Sequence, residues 1–390
     1  MKKESIVVCG TGIAGLAMAL GLAKGRHDVT LVGPKPSGAT FTGDEYCPRV
    51  YAMSPGSRDL LKRLGVWDMM DARRITAIES MEIYGDASGA VNLHAWQAAQ
   101  DALAWIVESS EMERVLQQAV QVYGIVWHPE KFQRLESSTV FTDSGRALQA
   151  DLLIGADGAQ SPVREAAGIK VSSRPYGDMG LVAHLHAELP HQNTAVQWFT
   201  GDSVLALLPM PDTRAGHQVS MVWSMSEQDA RELLAMSAAD RRATLETRLD
   251  AASGRRLGRL QLHSEVFGFP LFLEGSAMVA PGVALVGDAA HRVHPLAGQG
   301  LNLGLGDVEA LMKVLDEKET YRGPGDMRVL NRYRRARAEP VLAMRMATDG
   351  LHRLFGIQAA PVVWGRNLGM QWVERLPFLK RLLIEGAGGS

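Results

Sequence analysis

The chain has 390 residues, with 41 Lys plus Arg against 43 Asp plus Glu and a formal charge of -2. That length supplies a sizeable core and room for two domains or one large composite fold, and the charge balance gives no basic field of the kind that gathers nucleic acid. Only Cys9 and Cys47 are present, too few and too far apart for a disulfide framework or a four-ligand zinc site. This usage fits a reducing cytoplasm. Two lysines precede an apolar stretch in MKKESIVVCG, an imitation of a signal peptide that the following glycines argue against. No stretch reaches the roughly 18 uninterrupted apolar residues of a spanning helix, so the chain is read as soluble or resting on a membrane surface.

In chain order, residues 6–9 read as a short buried strand, 10–15 as a tight turn, 16–24 as an Ala- and Leu-rich helix and 28–32 as a second strand. This is a β-α-β unit, the opening of a nucleotide-binding sheet. Residues 57–64 and 111–123 read as amphipathic helices stopped by Gly65 and Gly124. Strands are expected at 81–84 and 90–93, and another at 151–154 running into Gly155-Ala156-Asp157-Gly158, with a short helix at 163–167. From 181 to 269 the apolar runs suggest antiparallel strands, interrupted by helices near 226–236 and 238–252. A strand returns at 283–286, then a Gly-rich loop and a helix over 300–315. The tail GAGGS is read as unstructured.

Gly10, Gly12 and Gly15 fit G-x-G-x-x-G directly after a strand and before a helix. The first makes the turn, the second lets a pyrophosphate approach the backbone and the third allows close helix packing, with the anion at the helix N-terminus beside Ile13 and Ala14. The acid that normally ends the second strand and receives the adenosine ribose is replaced by Gly33, which leaves open whether Lys35 or backbone groups take over. Further on, Gly287-Asp288 ends a strand, where an open α/β sheet binds ligands, and Asp288 is placed to accept hydrogen bonds from a polyol. Gly298-Gln299-Gly300 then opens a helix whose N-terminus suits the negative charge of a reduced isoalloxazine.

The run 283–302, VALVGDAAHRVHPLAGQGLN, strongly resembles the second FAD motif of the class A aromatic-ring flavoprotein monooxygenases, the para-hydroxybenzoate hydroxylase fold. Asp157-Gly158 with Arg164 looks like that family's D-G segment, which serves FAD and the transient nicotinamide cofactor, and Arg49 in RVYAMSPGS matches its flavin-placing arginine. HPLAGQGLNLGL followed by Asp307-Val308 is similar to the ubiquinone-biosynthesis hydroxylases, as are LALLPMP and the tail LHRLFG then LPFLKRLL. The resemblance implies an α/β fold: a Rossmann-like FAD-binding domain built from segments 1–75, 98–174 and 276–350, an inserted, mainly antiparallel β-sheet substrate domain from 76–97 and 175–275, and a C-terminal helical segment at 351–390. It implies FAD held by Gly10, Gly12, Ile13, Ala14, Gly15, Arg49, Asp157, Gly158, Arg164, Gly287, Asp288, Leu301 and Asn302. Pro295, Gly298, Gln299 and Gly300 would frame the flavin face.

The implied activity is hydroxylation of an aromatic ring through a flavin C4a-hydroperoxide, with NAD(P)H and O2 as co-substrates and a polyprenyl-phenol of ubiquinone biosynthesis as substrate. Two other readings share the motifs: a monooxygenase of a soluble phenol or secondary metabolite, and a non-catalytic flavoprotein scaffold in a biosynthetic complex. His291 and His294 near Asp288 invite a metal reading, but two imidazoles fall short of three or four convergent ligands, so no metal is expected. They are read as loop histidines, with proton handling left open and no catalytic base named. Trp198, Phe199, Leu205, Leu207, Leu208 and Trp223 are read as sheet core with some lining the substrate pocket, which period-2 patterning does not divide. The basic, apolar stretch 351–384 offers a peripheral contact with the inner membrane or with partner proteins.

Overall fold

Ile6, Val7, Val8 and Cys9 are all buried, as expected of a parallel strand covered on both faces. The computed structural model describes residues 4–35, 41–86, 89–201, 203–293, 300–356 and 360–388. Among these, Ser5–Cys9 lies inside a six-stranded sheet ordered Val279–Ala280, Val283–Leu285, Leu152–Gly155, Ser5–Cys9, Asp28–Val32, Val126–His128. Every pairing is parallel except that between the first two. The helix Ile13–Lys24, apolar nearly all round, is buried from Gly15 to Gly21 and packs between the helices Ser109–Val122 and Gly300–Asp316. Helix Pro55–Arg63 starts with Pro at its first position and Ser54 as cap, whose Oγ accepts from Ser57 N.

A three-stranded ribbon of Val50–Met53, Ala104–Glu108 and Thr76–Ile78 joins this unit to a larger sheet. The larger sheet runs His291–Arg292, Phe267–Ser276, Val171–Ala187, His217–Ser226, Ser203–Pro209, Thr194–Thr200, Ser80–Tyr84, Ala90–His94. It is antiparallel apart from the pairing of Thr194–Thr200 with Ser80–Tyr84. Its two faces are unlike. Leu205, Leu207, Trp198 and Trp223 turn to the helices Glu227–Ala235 and Ala238–Ser253 through Ala230, Leu233, Leu245 and Leu249. Leu208, Ala206 and Val222 turn the other way, onto Ala52 and Ile106 of the ribbon.

Several elements depart from the sequence reading. Thr76–Ile78 belongs to the ribbon, and the long strand Val171–Ala187 of the large sheet starts ten residues before the apolar runs do, because its exposed first half, carrying Pro175 and Gly177, gives no apolar pattern. Phe132–Glu136, Thr139–Thr142 and Ala147–Gln149 form a small sheet whose polar surface gave no signal. Of the tail read as unstructured, Gly386, Ala387 and Gly388 lie in the helix Pro377–Gly388.

Candidate active site

Three separated segments meet at the carboxyl end of the six-stranded sheet. Gly10, at φ +120°, is so close to the second segment that an added Cβ would lie 2.1 Å from the Ala156 carbonyl oxygen. A Cβ on Gly287, at φ +62°, would lie 3.5 Å from that of Ala14, and one on Gly304 would lie 3.0 Å from Gly287 Cα. Gly12 differs, since a Cβ there meets nothing within 4 Å. It caps the helix Ile13–Lys24 with no side chain on the exposed N–H groups and no acid in the first turn. That combination leaves the N-terminal donors and the positive dipole end open to an anion.

Around this cradle the expected residues divide into those that line it and those that brace it. Asp288 is exposed on the turn after Val283–Leu285. Arg49 lies over the Tyr51 ring at 5.1 Å from Cζ to the centroid. Burial pushes the Tyr51 hydroxyl up to about 12, with Arg49 pulling it down and Asp288 and Glu113 pushing it up, so these charges share one neighbourhood. Gly158, at φ +87°, and Gly300 also have open sides. Ile13 and Leu301 point into the core and offer the site backbone only.

Asp157, Arg164 and Asn302 act as braces. Asp157 accepts from Ser161 Oγ at 2.5 Å and Val163 N at 3.0 Å, fixing the start of the helix Pro162–Ala166. Arg164 donates to the carbonyls of Ala159 at 2.7 Å and Ala289 at 2.9 Å, tying the second segment to the third. Asn302 accepts from Ser54 N at 3.0 Å and donates to Ala52 O at 2.8 Å, holding the strand that follows Arg49. Pro295, Gly298, Gln299 and His294 lie outside the described residues.

A buried charge group supports the Gly287 turn. Asp307, fully buried, accepts from Gly287 N at 2.9 Å and from Arg337 Nε at 2.7 Å, and Arg337 also donates to Leu303 O at 2.9 Å. His291 Nε2 lies 2.7 Å from Asp307 Oδ2, which gives this histidine a packed, structural position. Among the described residues no group of three His, Cys, Asp or Glu side chains gathers as a metal site. The departure at Gly33 has a steric cause: at φ +153° its Cβ would lie 2.7 Å from Thr11 Cγ2. Its N–H bonds His128 O and its carbonyl accepts from Trp127 Nε1, while Lys35 Nζ sits over the Trp127 ring at 5.7 Å.

The FAD binding domain family matches residues 3–348. A 3-demethoxyubiquinol 3-hydroxylase of Escherichia coli is 32% identical over 397 residues, covering 98% of each chain. The chain belongs to the FAD-dependent hydroxylases of the ubiquinone-biosynthesis group. Ubiquinone hydroxylase UbiL of Rhodospirillum rubrum is 32% identical over 100% of this chain and 90% of its own. Mitochondrial ubiquinone biosynthesis monooxygenase COQ6 of Mus musculus is 33% identical over 97% and 90% respectively. The solved p-nitrophenol 4-monooxygenase PnpA of Pseudomonas putida shares the architecture, with a TM-score of 0.75 at 18% identity over 99% of both chains. FAD fits what the residues offer, since the open side of Gly12 and the uncapped helix end make the anion site that a dinucleotide pyrophosphate needs.

Sequence reasoning missed the residues that hold the Arg49 loop. Cys47 N donates to Glu108 Oε2 at 2.5 Å, Arg74 Nε donates to Glu108 Oε1 at 2.7 Å, and His184 Nε2 meets Cys47 O at 2.8 Å. Each partner comes from a different stretch, and no local pattern announces them.

Proposed function

We propose that this chain hydroxylates the aromatic ring of a polyprenylated phenol on the route to ubiquinone, using NAD(P)H and O2. The observation that carries the reading is near full-length similarity to hydroxylases named for that pathway, joined to a cradle whose open side lies at Gly12. Bound FAD supplies the redox chemistry, taking electrons from the nicotinamide and activating oxygen for transfer to the ring. The protein supplies the rest. Gly12, Ile13 and Ala14 receive the pyrophosphate at the open helix N-terminus, while Gly10, whose N–H donates to Val32 O, makes the turn, Gly15 lets the helix pack closely, and Asp288 accepts from the flavin's polyol. Arg49 fixes the flavin end, with Gly158, Gly287 and Gly300 giving backbone clearance and Pro295, Gly298, Gln299 and Leu301 framing the ring.

Asp157, Arg164 and Asn302 position these groups rather than touch the substrate. Segments 1–78, 98–170 and 277–350 make the FAD-holding unit, 79–97 and 171–276 the cover under which the substrate ring lies, and 351–390 a helical appendage docked on that cover's edge. The cover excludes water from the reacting ring, and no side chain is assigned as catalytic base. The appendage rests on the cytoplasmic face of the inner membrane. In support, it presents apolar side chains to solvent, and no described helix is long and apolar enough to cross a bilayer.

The test is NAD(P)H oxidation by the FAD-loaded protein with a short-chain prenylphenol under labelled O2. The expected result is substrate-stimulated oxidation with one labelled oxygen in the ring. Stimulation by simple soluble phenols with none by prenylphenols overturns the substrate assignment, and FAD binding without either activity leaves a scaffold.

A further inference from the structure

The ribbon-facing side of the large sheet carries a polar group that the flavin cradle does not use. Leu208 pairs with Ser220 and Ser220 with His184, and one step along Gln218 pairs with His186. Side chains alternate between faces along a strand, so His184, Ser220 and Gln218 share the face of Ala206, Leu208 and Val222, which packs on Ala52 and Ile106 of the ribbon. His184 is 1% exposed, Ser220 1% and Gln218 0%.

Four polar atoms here have no hydrogen-bond partner in the protein: His184 Nδ1, His186 Nδ1, Gln218 Nε2 and Ser220 Oγ. Folded chains rarely leave buried polar atoms bare, and four on adjoining pairs leave hydrogen-bonding capacity that the protein itself does not fill. Their hydrogen-bonding sense is determined. His184 Nε2 lies 2.8 Å from the Cys47 carbonyl, which only accepts, so Nε2 carries the proton and Nδ1 presents a lone pair. His263 Nε2 meets Gln218 Oε1 at 3.0 Å, which leaves the amide NH2 of Gln218 as the bare donor. The patch thus offers an imidazole acceptor with a hydroxyl and an amide donor beside it, the complement of a group that both donates and accepts. Cys47 is two residues before Arg49, so the patch adjoins the loop expected to place the flavin.

We propose that His184, Ser220 and Gln218 form the subsite for the phenolic hydroxyl of the substrate ring, with His184 Nδ1 accepting from its O–H and Ser220 Oγ and Gln218 Nε2 donating to its oxygen. The inference rests on the aromatic-hydroxylase reading and adds the group by which the ring is held. Anchoring that hydroxyl sets which ring carbon faces the flavin. A hydrogen bond from O–H to the imidazole also enriches the ring in electrons without a complete proton transfer.

The test uses 2-geranylphenol and its methyl ether as probes, titrated against the FAD-loaded protein and read by perturbation of the flavin absorbance. Ser220→Ala removes a hydroxyl with no protein partner, so its fold is expected to hold. His184→Gln places an amide nitrogen where Nε2 stands, keeping a donor for Cys47 O while deleting the Nδ1 lone pair. The wild type is expected to prefer the phenol by roughly tenfold or more, because a site built to pair a hydroxyl rejects the analogue that cannot donate. Each variant is expected to bring that preference to about twofold or less with the ether affinity unchanged. If the variants keep the wild-type preference, or the wild type takes both probes equally, the subsite is wrong and the hydroxylase reading stands. If the FAD-loaded wild type binds neither probe, both readings fall together.

Discussion

Gly10 and Gly12 stand two residues apart, and replacing them breaks different things. Alanine at Gly10 faces a left-handed backbone and the Ala156 carbonyl, so Gly10→Ala is expected to lower the melting temperature of the protein even without flavin. Alanine at Gly12 meets open space. Gly12→Ala is expected to change unfolding free energy by about 1 kcal/mol or less, the range of an N-cap change, while reducing FAD affinity by roughly tenfold or more. Thermal melts of the apoprotein and flavin retained after gel filtration check both. Equal flavin content in wild type and Gly12→Ala would show that the anion enters elsewhere. Asp307 is the other residue with a sharp expectation. Removing one member of a buried pair strands its partner, so Asp307→Ala should cost about 3–5 kcal/mol in urea unfolding, and a loss below about 1 kcal/mol would mean that Arg337 finds other partners. The glycines were legible in the sequence because their spacing is local and geometric. The Asp307 and Arg337 pair was not, because residues thirty apart on two helices leave no periodic mark.

At the scale of elements, hydrophobic period located the helix Ser109–Val122 within two residues, since an apolar stripe against polar neighbours is a strong signal. The sheet was harder to read. Alternation along Ser203–Pro209 predicts a strand but not which side meets the ribbon, and only the packed helices Glu227–Ala235 and Ala238–Ser253 decide it. The histidines of this sheet give it a pH response. Burial holds His184 below the ordinary imidazole value, and burial together with His186 and His184 brings His263 down to about 4. Below the unfolded imidazole pKa of about 6.5 the unfolded chain takes up the proton first, so their contribution is constant above that pH and is lost as pH falls toward about 4. Melting temperatures measured between about pH 7.5 and 4 should fall more steeply in the wild type than in His263→Gln. Parallel slopes would show that these imidazoles do not govern the acid limb.

For the whole molecule, the C-terminal helices are not an independent appendage. Arg366 pairs with Asp86, Asn367 Oδ1 accepts from Gly89 N at 2.8 Å, and Glu374 Oε2 accepts from Asn92 N at 2.7 Å and meets Lys380 at 2.8 Å. Ile384 closes over Val91 and Leu93. Contacts across some 280 residues of sequence leave no trace in composition, and so the tail's docking onto the sheet edge was not legible. Deleting 351–390 would uncover that edge and confuse a membrane test. Trp372, Phe378 and Leu382, 62%, 66% and 61% exposed, are better targets. Replacing all three with serine is expected to reduce flotation with anionic vesicles while leaving the melting temperature unchanged, since surface substitutions away from packed features cost little. Undiminished flotation would remove the tail from the membrane reading.

The weave of the six-stranded sheet also sets the timing of biosynthesis. Its inner strands come from residues 5–9, 28–32, 152–155 and 283–285, and the cradle needs Gly10, Ala156 and Gly287 at once. During translation the opening β-α-β unit emerges early and gains Leu152–Gly155 on its far side before half of the chain is made, but that strand has no partner on its own far side until Val283–Leu285 has left the ribosome. Cofactor loading is thus a late event in the life of each new chain, and a nascent protein stalled before residue 283 has an unfinished sheet edge in need of a chaperone.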